Sequence, residues 1–378
     1  MIEKSFGPSQ KRIPVAAPVL GDRETELVSD AVRSGWVSSQ GAYVSAFEQA
    51  VQRRCGANHA LATCNGTAAL HLALASLGIK EGDDVLVPAL TFIATANAVQ
   101  YVGARPIFAD CDPEYWCVTV DECERVVTPQ TRAVIVVHLY GHPTNMGEIL
   151  PWARARNISV IEDAAEAIGA TANGQPIGAM GDVGIFSFYG NKVITTGEGG
   201  MLVSNNDRFF AKARLLRDQF VDPTRRYWHN GVGFNYRMTN LQAALGVAQM
   251  ERLDDLLQRK RSLAQIYAQR LAHLNGVEIQ TEAPFARSAW WMFSVVLDPE
   301  LGWNRDLAAT QLDAVGIETR PVFHPLHMQP PYRRAESHPV AERIGANGLT
   351  LPSGAGLTDE ELDYVASRME EIAPEPRS

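Results

Sequence analysis

A regular alternation of short apolar runs with helical patterns between residues 60 and 163 limits the possible folds more than any other feature. Strands that alternate with helices favour a mainly parallel sheet with helices on both faces. Ligands bind such sheets beyond the carboxyl ends of the strands. The pattern predicts strands at 60–64, 84–88, 105–110, 131–141 and 158–163, and helices at 66–78, 91–103 and 146–157.

The length of the chain and the segments outside this alternation predict two domains. Helical patterns at 22–34 and 46–56 follow an extended, proline-containing start, and one long amphipathic helix is expected at 247–274. A chain of 378 residues is too long for one compact core. We therefore expect a large α/β domain at 1–250 with a mainly parallel central sheet, and a smaller C-terminal α/β domain at 251–378.

Charge and cysteine usage exclude several classes of protein. The net charge is −9 and no basic block occurs, which argues against a nucleic-acid partner. The chain has five cysteines, an odd number, and none of them forms a C-x-x-C pair. We therefore expect thiols in a reducing compartment, and we expect no metal site. No apolar run approaches the roughly 18 residues of a membrane span, and the start lacks the apolar core of a signal peptide. A cytoplasmic protein without a membrane partner is expected.

A single lysine, Lys192, stands between an aromatic run and a glycine-rich turn in "FSFYGNKVITTGEGGMLVSN" (186–205). A lone lysine is usually a solvated surface group, but these neighbours favour burial. Asp163 ends the apolar run "VIED" at the edge of the sheet where ligands bind. On its own, such an aspartate is more often a helix cap or a turn residue.

The segment "CNGTAALHLAL" (64–74) combines a strand end, a glycine turn and a helix start. Free N–H groups at a helix start suit a phosphate, although an ordinary strand-to-helix turn needs the same residues. A phosphate site, a carboxylate and a lysine at the edge of one sheet together match pyridoxal 5′-phosphate (PLP). That cofactor needs a lysine for its imine and an acid beside its ring nitrogen.

Four blocks, "NGTAALHLAL", "VIEDAAEAIGA", "FSFYGNKVITTGEGGM" and "GFNYRMTNLQAALG", resemble the DegT/DnrJ/EryC1/StrS sugar aminotransferases. The resemblance extends over nearly the whole chain. It implies the type I fold of PLP-dependent aminotransferases, PLP as cofactor, and a homodimer with shared active sites.

The resemblance also implies a role for each cofactor residue. Lys192 would form the imine and carry the proton, and Asp163 would pair with the ring nitrogen. Phe92 would stack on the ring and Glu166 would lie near its oxygen. The phosphate would be held by Gly66, Thr67 and Ser187, together with Asn235 of the neighbouring subunit.

Three further blocks, "SFYGNK", "RRYW" and "RPVFHPLHMQPPY", resemble the perosamine-forming branch of the family. That branch moves an amino group from glutamate to C4 of GDP-4-keto-6-deoxymannose. Guanidinium groups can bind diphosphate oxygens in pairs of hydrogen bonds. The expected substrate residues are Arg225, Arg226, Arg320, His324 and His327.

Other activities remain open at this point. A UDP- or dTDP-linked 4-keto sugar, or a 3-keto sugar, could be the acceptor in the same reaction. A PLP-type sugar dehydratase of this fold would carry histidine in place of Lys192, so the lysine argues against that activity. A PLP-binding regulator would need a DNA-binding module, and the sequence contains no basic helix-turn-helix pattern.

Overall fold

A computed structural model of the chain describes residues 12–375, in which helices and strands alternate as the sequence predicts. The helices are α1 (Asp22–Arg33), α2 (Ala42–Cys55), α3 (Gly66–Leu77), α4 (Ala94–Tyr101), α5 (Val120–Val126), α6 (Met146–Ala155), α7 (Asp207–Arg217), α8 (Asn240–Glu251), α9 (Leu253–Leu271), α10 (Arg305–Ala314), α11 (Pro339–Asn347) and α12 (Asp359–Glu371). The strands are β1 (His59–Thr63), β2 (Asp84–Pro88), β3 (Arg105–Ala109), β4 (Thr131–Val137), β5 (Ser159–Asp163), β6 (Thr171–Ala172), β7 (Gln175–Pro176), β8 (Val183–Ser187), β9 (Gly200–Ser204), β10 (Val277–Ile279), β11 (Ala286–Arg287), β12 (Phe293–Leu297), β13 (Arg320–Pro321) and β14 (Gly348–Leu351).

The central sheet has seven strands in the order β1-β9-β8-β5-β4-β2-β3. Its pairs from β8 through β5, β4 and β2 to β3 are parallel. Only β9 runs the other way, because it is antiparallel to both β8 and β1. The prediction of an α/β fold with a mainly parallel central sheet is therefore confirmed.

The predicted strand at 131–141 is shorter in the structure. It ends at Val137, and a 3₁₀ turn follows at Leu139–Gly141. Within that turn Tyr140 takes a left-handed conformation with φ 55°. Gly141 is also left-handed, and a Cβ there would lie 2.7 Å from the Trp290 backbone nitrogen. The close approach of the 290 segment thus ends the strand, which a local apolar pattern does not reveal.

The prediction of one long helix at 247–274 is wrong in one respect, because the structure has two helices that meet at Arg252. Helix α8 packs its small residues Ala244 and Ala248 against Leu27 of α1. Helix α9 turns away and continues to the C-terminal part of the chain. The Arg252 guanidinium contacts the Val19 carbonyl and Glu24 at 3.4 Å, which ties the break to the start of the chain.

A second apolar core lies around the antiparallel sheet β10-β12-β14-β13. Helix α9 contributes Leu256 to the large core and Tyr267 to this second core. The helix therefore joins the two cores, and a domain boundary near residue 250 stays a prediction. A third, three-stranded sheet has the order β11-β6-β7.

Two findings bear on the remaining expectations. All five cysteines are free, with Cys64 partly exposed and the others buried. Between residues 12 and 375, no helix combines the length and apolar character needed to cross a bilayer.

Candidate active site

A pocket of about 570 Å³ opens at the carboxyl ends of β4, β5 and β8 and at the start of α3. This is the edge at which ligands bind open α/β sheets. The structure brings eight of the sequence-predicted residues to its wall: Gly66, Thr67, Phe92, Asp163, Glu166, Ser187, Lys192 and Arg320.

Lys192 follows β8 and turns its side chain into this pocket, where 12% of the side chain is exposed. Its Nζ lies 3.7 Å from Glu166 Oε1 and 3.5 Å from the centroid of the Trp291 ring. Burial lowers the pKa of Lys192, although the nearby charges of Glu166 and Asp163 act in the opposite direction. A lysine with a lowered pKa has more of the free amine that a nucleophile and proton carrier needs.

Asp163 is the last residue of β5 and is buried in the pocket floor. The Thr95 hydroxyl donates to its Oδ2 at 2.9 Å, and the Ala165 N–H donates to its Oδ1 at 3.2 Å. Burial raises the pKa of Asp163, while these two donors oppose the rise. Both oxygens are thus held in fixed positions, and a cationic partner would favour the carboxylate form.

Glu166 lies between Lys192 and the turn that ends β4. The Tyr140 N–H donates to Glu166 Oε2 at 2.7 Å, which fixes the carboxyl group. Burial raises the pKa of Glu166 to about 7, with the Lys192 ammonium opposing the rise. A raised carboxyl pKa and a lowered amine pKa bring the proton affinities of the two groups closer together, which favours proton exchange between them.

The start of α3 forms a concave surface against the end of β8. Asn65 caps the helix by accepting from the Ala68 N–H at 2.8 Å. A Cβ at Gly66 would lie only 2.9 Å from Ser187 Cβ, so glycine allows the two segments to approach closely. The N–H groups of a first helical turn have no intrahelical acceptor, and the hydroxyls of Thr67 and Ser187 stand beside them. This arrangement suits a phosphate group.

Sequence reasoning missed three aromatic residues of the pocket. The Tyr140 ring is stacked between Trp291 and Phe323, with centroid distances of 6.0 and 5.2 Å. Phe323 in turn lies 5.8 Å from Phe92, which is half exposed at the mouth. The position of Tyr140 just beyond β4 was a usable signal, since functional residues follow strand ends. Trp291 and Phe323 come from distant segments, and no spacing indicates them.

Several predicted substrate and cofactor residues lie outside this pocket. Arg225 and Arg226 are exposed and stack on the neighbouring rings of Trp228 and Tyr227, at 3.8 and 4.9 Å. Asn235 is also exposed, in a bridge with Asp218. None of the three lines the pocket of its own chain.

Neither His324 nor His327, the predicted sugar contacts, lines the pocket of its own chain. His324 is exposed outside the pocket lining. His327 is buried, with Nε2 at 3.0 Å from Glu342 Oε1 and its ring 4.6 Å from that of His338. Its carboxylate partner and its burial fix its position in the proline-rich loop, and a sugar contact for either histidine stays a prediction.

No three or more His, Cys, Asp or Glu side chains within residues 12–375 are grouped so that they could hold a metal ion. The charged groups of the pocket are instead Lys192, Asp163, Glu166, Glu198 and Arg320.

Comparison with known proteins places this pocket in a family. The model of the DegT/DnrJ/EryC1/StrS aminotransferase family matches residues 18–370. The chain is 48% identical over 364 residues to GDP-perosamine synthase of Caulobacter vibrioides, covering 96% of this chain and 98% of that protein. It is 38% identical over 329 residues to UDP-N-acetyl-3-dehydro-alpha-D-glucosamine 3-aminotransferase of Acidithiobacillus ferrooxidans, covering 85% and 86%. The aminotransferase TlmJ from Streptoalloteichus hindustanus superposes with a TM-score of 0.90 at 30% identity, covering 95% of this chain and 98% of that one.

Proposed function

The chain belongs to the DegT/DnrJ/EryC1/StrS aminotransferase family of PLP-dependent sugar aminotransferases, and from that premise we propose its substrates. It transfers the amino group of glutamate to C4 of GDP-4-keto-6-deoxymannose and forms GDP-perosamine. The observation that carries this proposal is the 48% identity to a GDP-perosamine synthase over nearly the full length of both chains. The lower identity of 38% to an enzyme named for a UDP-linked 3-keto sugar supports the same choice.

The pocket residues fit PLP on two structural observations. The close approach of Gly66 to Ser187 leaves a cradle at the helix start that a larger side chain would fill. On the opposite side, a buried carboxylate and a lysine of lowered pKa share one cavity. Bound PLP supplies an electron-withdrawing ring that stabilises negative charge on the carbon carrying the transferred amino group.

Each pocket residue has a separate role toward the cofactor. Gly66, Thr67 and Ser187 hold the phosphate, and the Asp163 carboxylate keeps a proton on the ring nitrogen. Hydrogen bonds from Thr95 and Ala165 fix the direction of that carboxylate. Phe92 at the pocket mouth covers the ring from water. A preorganised carboxylate favours the positive ring without rearrangement during the reaction.

With the cofactor bound, Lys192 would carry the proton between the two carbon atoms on either side of the transferred nitrogen. Its amine must alternate between free and protonated forms, and the burial that lowers its pKa makes both forms accessible. Glu166, 3.7 Å away, stabilises the ammonium form. The Tyr140 N–H keeps Glu166 in place, so Tyr140 is a positioning residue.

The acceptor sugar nucleotide is an anion and requires local cations in a protein of net charge −9. Arg320 lines the pocket and provides one. Arg225, Arg226 and Asn235 lie outside the pocket of their own chain. We place them at the pocket of the second subunit in a homodimer with shared sites, where Asn235 contacts the phosphate of the partner's cofactor.

A panel of nucleotide keto-sugars tests this function. Purified enzyme with PLP and glutamate is given GDP-4-keto-6-deoxymannose, the dTDP- and UDP-linked 4-keto-6-deoxyglucose compounds, and a UDP-linked 3-keto sugar. Aminated products are measured by mass spectrometry. Lys192→Ala is the matched inactive control.

We expect kcat/KM for the GDP sugar to exceed the others by orders of magnitude, because a site that bonds the guanine edge rejects analogues lacking those groups. Equal or better turnover of a UDP or dTDP sugar would overturn the substrate and leave the sugar aminotransferase activity intact.

A further inference from the structure

A second cleft, of about 690 Å³, lies along α9. This volume is within the usual range for small-molecule sites. Its walls are one face of α9, the end of α2, and the small sheet of β6, β7 and β11. Among the described residues, those that line this cleft and those that line the candidate active site do not overlap.

Three guanidinium groups from three different elements converge on the cleft. Arg54 comes from the last turn of α2, Arg261 from the middle of α9, and Arg287 from β11. One lining carboxylate, Asp254, lies 2.7 Å from Arg54 and pairs with it. The lining therefore carries more positive than negative charge, in a chain whose net charge is −9.

Arg261 is held in place by the protein backbone. Its Nε donates to the Ser288 carbonyl at 2.9 Å, and one terminal nitrogen donates to the Gly169 carbonyl at 3.2 Å. Burial and the like charges of Arg287 and Arg54 lower the pKa of Arg261, while Glu282 and Asp254 oppose the effect. Like charges that are fixed close together favour the binding of an anion between them.

The face of α9 that lines the cleft is polar along its length. Its lining residues lie on one side of the helix, since they are three or four positions apart except for one adjacent pair: Asp254, Gln258, Arg261, Ser262 and Gln265. The amides and the hydroxyl can donate and accept hydrogen bonds. None of the described lining residues is aromatic, so the cleft offers no ring on which a nucleobase could stack.

We propose that this cleft binds a small phosphorylated sugar. Its phosphate is held by the guanidinium groups of Arg54, Arg261 and Arg287. Its hydroxyl groups are bonded by Gln258, Ser262 and Gln265 on α9. Guanidinium groups match the geometry of phosphate oxygens, and a neutral sugar would leave the excess positive charge of the lining uncompensated.

The experiment measures binding rather than activity, because the segment from Arg287 to Trp291 touches both sites. Arg287 lines the cleft, and the Trp291 ring contacts Lys192 in the active site. Glucose 6-phosphate is titrated by calorimetry into the PLP-loaded protein, in which the cofactor occupies the other phosphate site. We expect saturable binding with one site per chain.

Arg287→Gln is the test variant, because Arg287 is exposed on a short strand and contributes no side chain to the buried core. Loss of one charge-assisted phosphate contact should weaken binding about tenfold or more. Arg53→Gln is the matched control, since it removes the same charge from an exposed neighbour of Arg54 that does not line the cleft. Thermal unfolding of both variants checks that they are folded.

Each comparison ligand decides one part of the proposal. Glucose should not bind, and inorganic phosphate should bind more weakly than glucose 6-phosphate. Absence of saturable binding, or equal affinity in the Arg287→Gln and Arg53→Gln variants, would overturn the site. Equal or tighter binding of inorganic phosphate would overturn the sugar-phosphate assignment. None of these results depends on which nucleotide sugar the active site aminates.

Discussion

The Lys192 Nζ lies 3.5 Å from the centroid of the Trp291 ring, so the indole face covers one side of the amine. Two hydrogen bonds hold Trp291 in this position, one to its ring and one to its backbone. Its Nε1 donates to the Asn191 carbonyl at 2.7 Å, and the Trp291 carbonyl accepts from Lys260 Nζ at 2.6 Å. Trp291 therefore positions Lys192 and excludes water from it, while the ring electrons favour the ammonium form.

Trp291→Leu should lower kcat about tenfold, because the amine loses a wall that fixes its direction. The pKa of Lys192 should fall further, since leucine keeps water out but offers no aromatic face. The pH dependence of lysine labelling in the cofactor-free protein measures that pKa, and steady-state kinetics gives kcat.

Two variants serve as controls for this prediction. Trp291→Phe keeps an aromatic face and should restore most of the activity. Trp290→Leu removes an equally large ring that packs against Phe293 in the second core, 6.0 Å between centroids, and should leave the labelling profile unchanged. Identical profiles for Trp291→Leu and the unmodified protein would show that the ring does not act on Lys192.

The Glu166 carboxyl group should make stability depend on pH. Burial raises its pKa from 4.5 to about 7 in the folded protein. Between these values the folded state retains a proton that the unfolded state has released. The contribution is thus fully present below pH 4.5 and is lost as pH rises through about 7. Its full size is about 3 kcal/mol.

Urea unfolding of the cofactor-free protein between about pH 5 and 8 measures this dependence. Glu166→Gln still accepts from the Tyr140 N–H but cannot titrate, so its free energy of unfolding should fall less over that range. Glu148→Gln, at an exposed position on α6, is the control and should follow the unmodified protein. A parallel course for Glu166→Gln and the unmodified protein would contradict the raised pKa.

Much of the active site could be predicted because parallel strands end at one edge of a sheet. Asp163 ends β5, Ser187 ends β8, and Gly66 begins the helix after β1. Local patterns therefore indicated these residues before their contacts were known. Lys192 was predicted from its apolar and glycine-rich neighbours, and the structure places it in the same pocket.

The features that could not be predicted depend on contacts between distant segments. Trp291 reaches Lys192 from a part of the chain that is 99 positions later in the numbering. The break between α8 and α9 at Arg252 follows from packing against α1, although the helical pattern continues through it. His327 stands beside prolines like a loop residue of a binding site, but Glu342 on α11 holds it in the interior.

The proposed sharing of active sites predicts that two inactive variants can complement each other. Asn235 is exposed and outside the pocket of its own chain, and closed two-fold dimers are the commonest soluble assembly. In a heterodimer of Lys192→Ala and Asn235→Ala chains, one site carries both changes and the other site carries neither. That heterodimer should have about half the activity of the unmodified dimer.

The two chains are co-expressed with different tags, and the heterodimer is isolated by two affinity steps before its rate is measured. Asn235→Ala homodimers are the control and should be impaired at both sites. If Asn235 acts within its own chain, the heterodimer will be no more active than half of that control. Full activity of the Asn235→Ala homodimer would also rule out a role for Asn235 at either site.

Arg320 should contribute to binding of the acceptor more than to the chemistry. It lies on β13, pairs across the sheet with Thr350, and lines the pocket. Its terminal nitrogen is 3.4 Å from Glu318 Oε1, a distance that leaves the guanidinium available to a stronger anionic partner. Arg320→Gln should therefore raise KM for the nucleotide sugar about tenfold or more, with a smaller change in kcat. The rate of the half-reaction with glutamate, followed by the absorbance of the cofactor, should stay close to that of the unmodified enzyme.

Arg343→Gln is the control for this prediction. It removes an arginine that pairs with Glu278 at 2.7 Å and does not line the pocket, so both kinetic constants should be unchanged. A loss confined to the glutamate half-reaction would instead assign Arg320 to the donor carboxylate.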